Sequence, residues 1–513
     1  MSAQSDYKTL QNNRSSVLIR ARECSALTIP ALLPPEGAND STSLPTPFQS
    51  VGAEGVNNLA SKILFALFPP GVAFARLTVP PRVASGNPNT LAEVQKALAV
   101  LEGRIMDKFE TSVLRPVLSH IISHLIVTGN QLAYFKSPTE FATYRLDQYV
   151  IRRDAMDHPI DGVVKQSVHP STLSPEIAAT CKVDMKADKS IDIYTRIEWR
   201  EKKVESWQEI NEIEVPESRG SWPVDKSPWM VLRWKAVPGT DYGRGHVEEY
   251  LGALTSLEGL SQSIVEFAAV ASKIVFLVHP NSTTDVEEVN RAESGEAVTG
   301  SKADIDTLQL EKFADFQVAE KVVASLENQI ARAFLLRSAM TRDAERVTAE
   351  EIRAIAQELE DVLGGVYTVQ ANELQLPLVR RLMAVMTAKQ ELPALPKGSV
   401  DPIIISGFQA LGRNQALSKL RGFIQDFTAL LGPQAAPAYL KPLEIGTRLA
   451  VAWGVEGLGD ILKTEDEVAQ DQQDAKNAQM LQTMMDKGTG PMAKAMAEQG
   501  SGAIPAAAAQ PQQ

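Results

Sequence analysis

Cysteine, histidine and aromatic residues are all scarce in this chain of 513 residues. Its two cysteines, Cys24 and Cys181, lie far apart, which excludes a disulfide scaffold and fits a reducing compartment. Six histidines leave few imidazoles for metal chemistry, and no metal or other cofactor is expected. No run of 18 apolar residues occurs. The richest stretch, 264–278, carries Glu266 and Lys273, so no membrane span is expected. The opening MSAQSDYKTLQNNRSS has no apolar core of a secretory leader, so a soluble protein folded in a cytoplasm is expected. Positive charge is in deficit too. Lys+Arg number 51 against 63 Asp+Glu, a net charge of −12, which speaks against a conventional DNA-coating protein.

What is present is chain enough for roughly three or four domains at about 150 residues each. Residues 5–29 read as a helix with Val17, Leu18, Ala21 and Leu27 on one side. Prolines then force an irregular connection over 30–47, and a second helix over 49–68 stops at Pro69-Pro70. Residues 90–127 read as helical with a break near Pro116. Short alternating segments rich in Val, Ile, Tyr and Trp follow at 131–136, 144–153, 162–169, 191–199, 202–210 and 229–236, which predicts a small antiparallel sheet or barrel. Beyond the glycine-rich turn PGTDYGRGH (238–246), a helix is expected over 247–275 and another over 319–337. Between them, residues 281–318 hold nine acids and three bases, half of the net charge of the chain. Thr348 and Glu351 have capping-box spacing for a further helix running toward Met386. Residues 391–402 are a Pro-rich linker before a smaller helical region at 403–463, and 488–513 read as a flexible low-complexity tail. The expected class is α+β, mostly α-helical.

Motifs for chemistry are weak. His120 and His124 share a helix face in HIISH, but the zinc-peptidase pattern needs Glu where Ile121 stands, so ordinary helix histidines are preferred. GEAVTGSK (295–302) inverts the Lys-Ser order of a phosphate loop and has no buried strand before it. The spacing of Gly239, Gly243 and Gly245 departs from a dinucleotide fingerprint. Acid pairs such as Glu248-Glu249, Glu287-Glu288 and Glu350-Glu351 read as solvated faces. No catalytic constellation is defensible, and no enzyme is expected. Four arginines stand out: Arg332, Arg337, Arg342 and Arg346 flank the polar break SAMTRDAER between two helices. They form either a solvated connection or a loop that presents positive charge to a phosphate backbone.

Two strings carry more. TPFQSVGAEGVNNLASKILFALFPP (46–70) and AERVTAEEIRAIAQELEDVLGGVYTVQANELQLPLVRRLM (344–383) closely resemble the portal, or head-to-tail connector, proteins of short-tailed phages of the Autographivirus type. The resemblance covers about 10–470. It implies a ring of twelve subunits at one capsid vertex around a channel for genome packaging and ejection. It also implies a wing (1–246) with a small β region, stem helices (247–275 and 319–337) and a clip between them (276–318). A channel loop and long wing helix (338–400), a crown (401–470) and an extension (471–513) would complete the chain. The implied partners are other copies of the chain, the terminase large subunit during packaging, and tail or adaptor proteins afterwards. Major capsid, scaffolding and internal core proteins and non-specifically held double-stranded DNA complete the set. The implied place is the virion's portal vertex, assembled in the host cytoplasm. Arg337, Arg342 and Arg346 are then the candidates to face the DNA. An internal virion or tail adaptor protein is the alternative, and a terminase-like ATPase is a further one that lacks its phosphate loop.

Overall fold

The computed structural model describes residues 2–39, 41–70, 73–78, 88–271, 275–280, 284–301, 305–308, 313–336, 365–393, 401–404 and 422–430, with three isolated positions beyond. The chain divides into two compact units, Met1–Ala410 and Leu411–Gln513. The described part of the second is a helix over 422–430 in which the rings of Phe423 and Phe427 stack at 5.4 Å.

The first unit is α+β. Helix α1 (Ala3–Ala26) is capped by the Ser2 hydroxyl, which accepts from the Ser5 N–H. Helix α2 (Val51–Leu67) ends before the two prolines. Helices α3 (Pro88–Glu110) and α4 (Leu114–Thr128) are separated at 111–113. The break expected near Pro116 thus falls a few residues earlier, and the proline sits in the first turn of α4, where its missing N–H costs nothing. Phe68, Phe74 and Phe109 interlock at centroid distances of 4.9 to 5.3 Å where α2 and α3 meet.

The β region forms two antiparallel sheets. Strands β2 (Asn130–Ser137), β3 (Glu140–Tyr144) and β10 (Trp229–Arg233) pair in the order β10-β2-β3. The larger sheet runs β4 (Tyr149–Arg153), β5 (Pro159–Val168), β6 (Ile191–Trp199), β7 (Lys203–Ile210) and β8 (Ile213–Glu214), with β9 (Gly220–Pro223) also on β7 and the short helix α5 (Pro175–Thr180) between β5 and β6 in sequence. The segment read as one strand over 144–153 is split by a 3-10 turn at Leu146–Gln148, so its two halves serve different sheets.

Alternation along the strands explains how α1 is held. Tyr149, Ile151 and Val164 enter a core shared with Ala21 and Leu33, while Val150, Val163 and Tyr194 enter another with Ala3, Tyr7 and Leu10. Arg14 is 1% exposed. Its guanidinium donates to the carbonyls of Leu146 (2.6 Å), Asp147 and Tyr149, so main-chain oxygens solvate the buried charge.

The helix expected over 247–275 is a short turn α6 (His246–Glu249) and then α7 (Leu251–Ala271). Strand β11 (Val275–Val278) follows and pairs with β12 (Ile305–Leu308), with α8 (Val286–Arg291) between them in sequence. Helix α9 (Phe313–Ala333) packs along α7. Helix α10 (Val366–Gln370) passes through a π turn (Ala371–Gln375) into α11 (Leu376–Ala388). Strand β13 (Asp401–Ile404) pairs antiparallel with β1 (Ala75–Thr78), tying the end of this unit to its beginning. The main core gathers α2, α4, α9, α11, β2 and β10 around Leu59, Ile63, Leu125, Leu232, Phe334 and Leu382.

Candidate functional site

Helix α2 and the residues just before it hold both α7 and α9 at the core-side end of the pair. At its start, the backbone N–H groups of Phe48 and Gln49 donate to the two oxygens of Glu258 on α7, at 2.9 and 3.3 Å. A carboxylate at a helix start also meets the positive end of the helix dipole. One turn on, Gly55 leaves room for a ring, since a Cβ there would stand 2.7 Å from Cγ of Phe334. Asn58 Nδ2 then donates to the carbonyls of Phe334 and Leu335, both at 3.0 Å, and Lys62 Nζ to that of Leu335 at 2.8 Å.

These bonds complete the carboxyl end of α9. Leu335 turns left-handed (φ 56°), and the N–H groups of Leu336 and Leu335 return to the carbonyls of Ala331 and Arg332. The Ala333 carbonyl meets Nε2 of His246 at 3.0 Å. A carbonyl can only accept, so that nitrogen carries the proton, and burial lowers the pKa of the ring and keeps it neutral. Every carbonyl from Ala331 to Leu335 therefore has a donor. The point from which the chain continues toward Arg337 is fixed.

The far halves of the two helices differ. Leu254 and Leu257 of α7 and Ile330, Ala331, Ala333 and Phe334 at the end of α9 are buried. From 258 to 269 and from 317 to 329, no described residue is fully buried. Since α7 enters the core at its start and α9 at its end, the pair is an antiparallel hairpin. Val265 is 52% and Val318 62% exposed, apolar surface without cover among the described residues. Beyond the hairpin lie the two-stranded ribbon β11/β12 and the acidic residues Glu287, Glu288, Glu293 and Glu296.

Of the arginines singled out from sequence, Arg337, Arg342 and Arg346 lie outside the described residues, as do Thr348 and Glu351. Arg332 is exposed on α9, its Nε donating to the Asn328 carbonyl. His120 and His124 do face each other, Nε2 to Nε2 at 3.1 Å. Burial lowers the pKa of His124 to about 3, so both rings are neutral near pH 7 and share one hydrogen bond. Among the described residues no group of three or more His, Cys, Asp and Glu side chains could hold a metal. No helix among them is long and apolar enough to cross a membrane. Burial pushes the Cys24 thiol up to about 12.

The glycine turn 238–246 serves packing. Gly129 (φ +75°) ends α4, and a Cβ there would collide with the backbone of Arg244 and Gly245. The Asn130 side chain holds this crossing, donating to the Gly243 carbonyl at 2.9 Å and accepting from its N–H at 2.7 Å. At 295–301 the chain is irregular, and Ser301 N–H donates to the Thr284 hydroxyl. Glu248 and Glu249 pair with Arg20 and Lys235 at 3.1 and 2.6 Å.

Sequence reasoning passed over Asn58, Lys62, Glu258 and His246. The signal for the first two lay inside the string at 46–70, where small and polar residues interrupt an apolar helix. Nothing local marks Glu258 or His246, whose partners are more than 80 residues away.

The family model described as bacteriophage head to tail connecting protein matches residues 1–457. The portal protein of Escherichia phage T7 is 39% identical over 499 residues, 95% of this chain and 92% of that protein. That of Enterobacteria phage T3 is 39% identical over 485 residues, 92% of this chain and 90% of that protein. That of Pseudomonas phage phiKMV is 30% identical over 495 residues, 92% of this chain and 95% of that protein.

Proposed function

The chain belongs to the bacteriophage head-to-tail connecting proteins, and from that premise we propose how its parts work. It is a portal protein of short-tailed phage type, the connector of head and tail at one capsid vertex of the virion. In our reading twelve copies close a ring. Residues 1–246 form the wing, and the stem is the hairpin α7/α9. The clip is the acidic span 276–318 with its β11/β12 ribbon. Residues 338–400 hold the channel loop and long wing helix, residues 401–470 the crown, and 471–513 an extension.

The observation that carries the ring is the hairpin. Its exposed apolar side chains have no cover among the described residues, and a ring supplies two neighbours to every copy. Obligate interfaces of this kind bury more than about 2,000 Å². The charge suits a channel in which DNA slides. Tight binding would come from Lys and Arg releasing counterions from many phosphates. Twelve copies at −12 each instead repel the duplex from the wall. Arg337, Arg342 and Arg346 are proposed as a sparse positive ring that guides it without reading sequence. The clip would meet the terminase large subunit during packaging and tail or adaptor proteins afterwards. Capsid, scaffolding and internal core proteins are the remaining proposed partners. The role is structural, with no reaction assigned to the chain.

Imaging of the purified protein with its symmetry counted tests the ring; the expected result is twelvefold particles formed without DNA. A lone 55.8 kDa species in light scattering at micromolar concentration would overturn it.

A further inference from the structure

A groove of about 350 Å³ opens beside the edge of β10, within the range of about 300–1,000 Å³ found for ligand pockets. Its lining includes Met156, Trp199, Val224 and Trp229. Met156 is 78% and Val224 47% exposed, so two large apolar side chains stand in water at one opening. Trp and Met, both present in this lining, are residue types enriched at protein-binding surfaces.

The polar groups of the lining decide what fits. Arg153 and Arg233 are already committed. The first donates to the carbonyls of Asp241, Asp157 and Val231, and the second to Glu373 at 2.9 Å. Asp225 is exposed and has no ion pair or hydrogen bond among the described residues, and the Asp157 carboxylate is partly exposed. The charge left for a visitor is therefore negative. Behind the groove, Trp229 Nε1 is buried with no hydrogen-bond acceptor among the described residues, and Arg233 Nη1 is ion-paired with Asp157 Oδ2 at 3.6 Å. The outer edge of β10 cannot add a strand, because side chains already cover it. Ser227 Oγ takes the Trp229 N–H, and Glu373 and Gln370 take the N–H and carbonyl of Arg233. An occupant must bind through its side chains.

We propose that this groove is a docking site for an extended protein segment. The segment sets an apolar side chain against Trp199, Met156 and Val224 and a Lys or Arg against Asp225. The site lies outside the hairpin and the arginine loop, so it stands independently of the channel reading.

The test uses full-length assembled protein and two fluorescein-labelled hexapeptides, acetylated and amidated at their ends. One has leucine between two lysines, and the other has leucine between two glutamates. Saturable binding of the lysine peptide is expected, weakening as salt rises, with the glutamate peptide about tenfold weaker or worse. D225K should weaken the lysine peptide about tenfold, and M156S several-fold; both side chains are exposed, so folding is spared. Equal binding of the two peptides, indifference to D225K, or no binding up to about 1 mM would overturn the proposal.

Discussion

At the scale of single residues, structure is decided by closeness of approach and by where protons sit. Gly129 combines a left-handed φ with a backbone crossing that leaves no space for a Cβ. Gly129→Ala should therefore cost more than about 2 kcal/mol, read as a drop in thermal midpoint or loss of soluble protein. An unchanged midpoint would mean that the crossing can relax. The His120–His124 pair makes a pH prediction. Burial, followed by the nearby His120 and Arg145, lowers the pKa of His124 to about 3, against an ordinary value of 6.5. The unfolded chain binds this proton more readily, so the contribution is complete above about pH 6.5. It is lost as pH falls toward 3, by at most about 1.4 kcal/mol per unit. The thermal midpoint should fall between pH 7.5 and pH 5, and His124→Leu should flatten that slope. A variant with the wild-type slope would assign the acid sensitivity to other groups.

At the scale of elements, the carboxyl end of α9 is held by side chains from elsewhere in the chain. Asn58→Ala leaves the Phe334 carbonyl without its donor and weakens the hold on Leu335. Loss of a buried partner costs about 1–3 kcal/mol. The expected result is faster amide exchange at 330–336 in assembled protein, with β5 and β6 unaffected. Uniform exchange across both regions would argue that α2 does not hold the hairpin. The π turn at Ala371–Gln375 belongs to the same scale. Its neighbour Gln370 donates to the Arg233 carbonyl, Glu373 accepts from the Arg233 guanidinium, and Gln375 donates to the Leu67 carbonyl. Three polar side chains along one short stretch thereby reach two different elements.

At the scale of the whole molecule, the predictions concern assembly and passage of DNA. Removing 488–513 should leave rings intact, because that stretch has no periodic apolar face to bury. A truncated protein that stays monomeric would show the tail to be part of the interface. Changing Arg337, Arg342 and Arg346 together to Ala should spare ring formation and lower packaging efficiency in an in vitro extract. Normal packaging by such rings would remove the arginines from the channel while leaving the ring itself untouched.

Element type was legible wherever the signal is local. The strand at 191–199 emerges with the bounds its alternation predicts, because side chains on a pleat face opposite ways at every second residue. The stop of α2 at the paired prolines is equally local. The strings at 46–70 and 344–383 carry the kinship in sequence alone. Pairings across long separations were not legible. The strand Asp401–Ile404 is short and unremarkable in sequence, yet it meets Ala75–Thr78 more than 300 residues away. Likewise Glu258 reads as one acid among many until folding sets it over the N–H groups of Phe48 and Gln49. Local pattern thus determined the elements, the charge and the kinship of the chain. Which side chain closes which helix end was decided only in three dimensions, because a hydrogen bond is fixed by distance in space and not by distance along the chain.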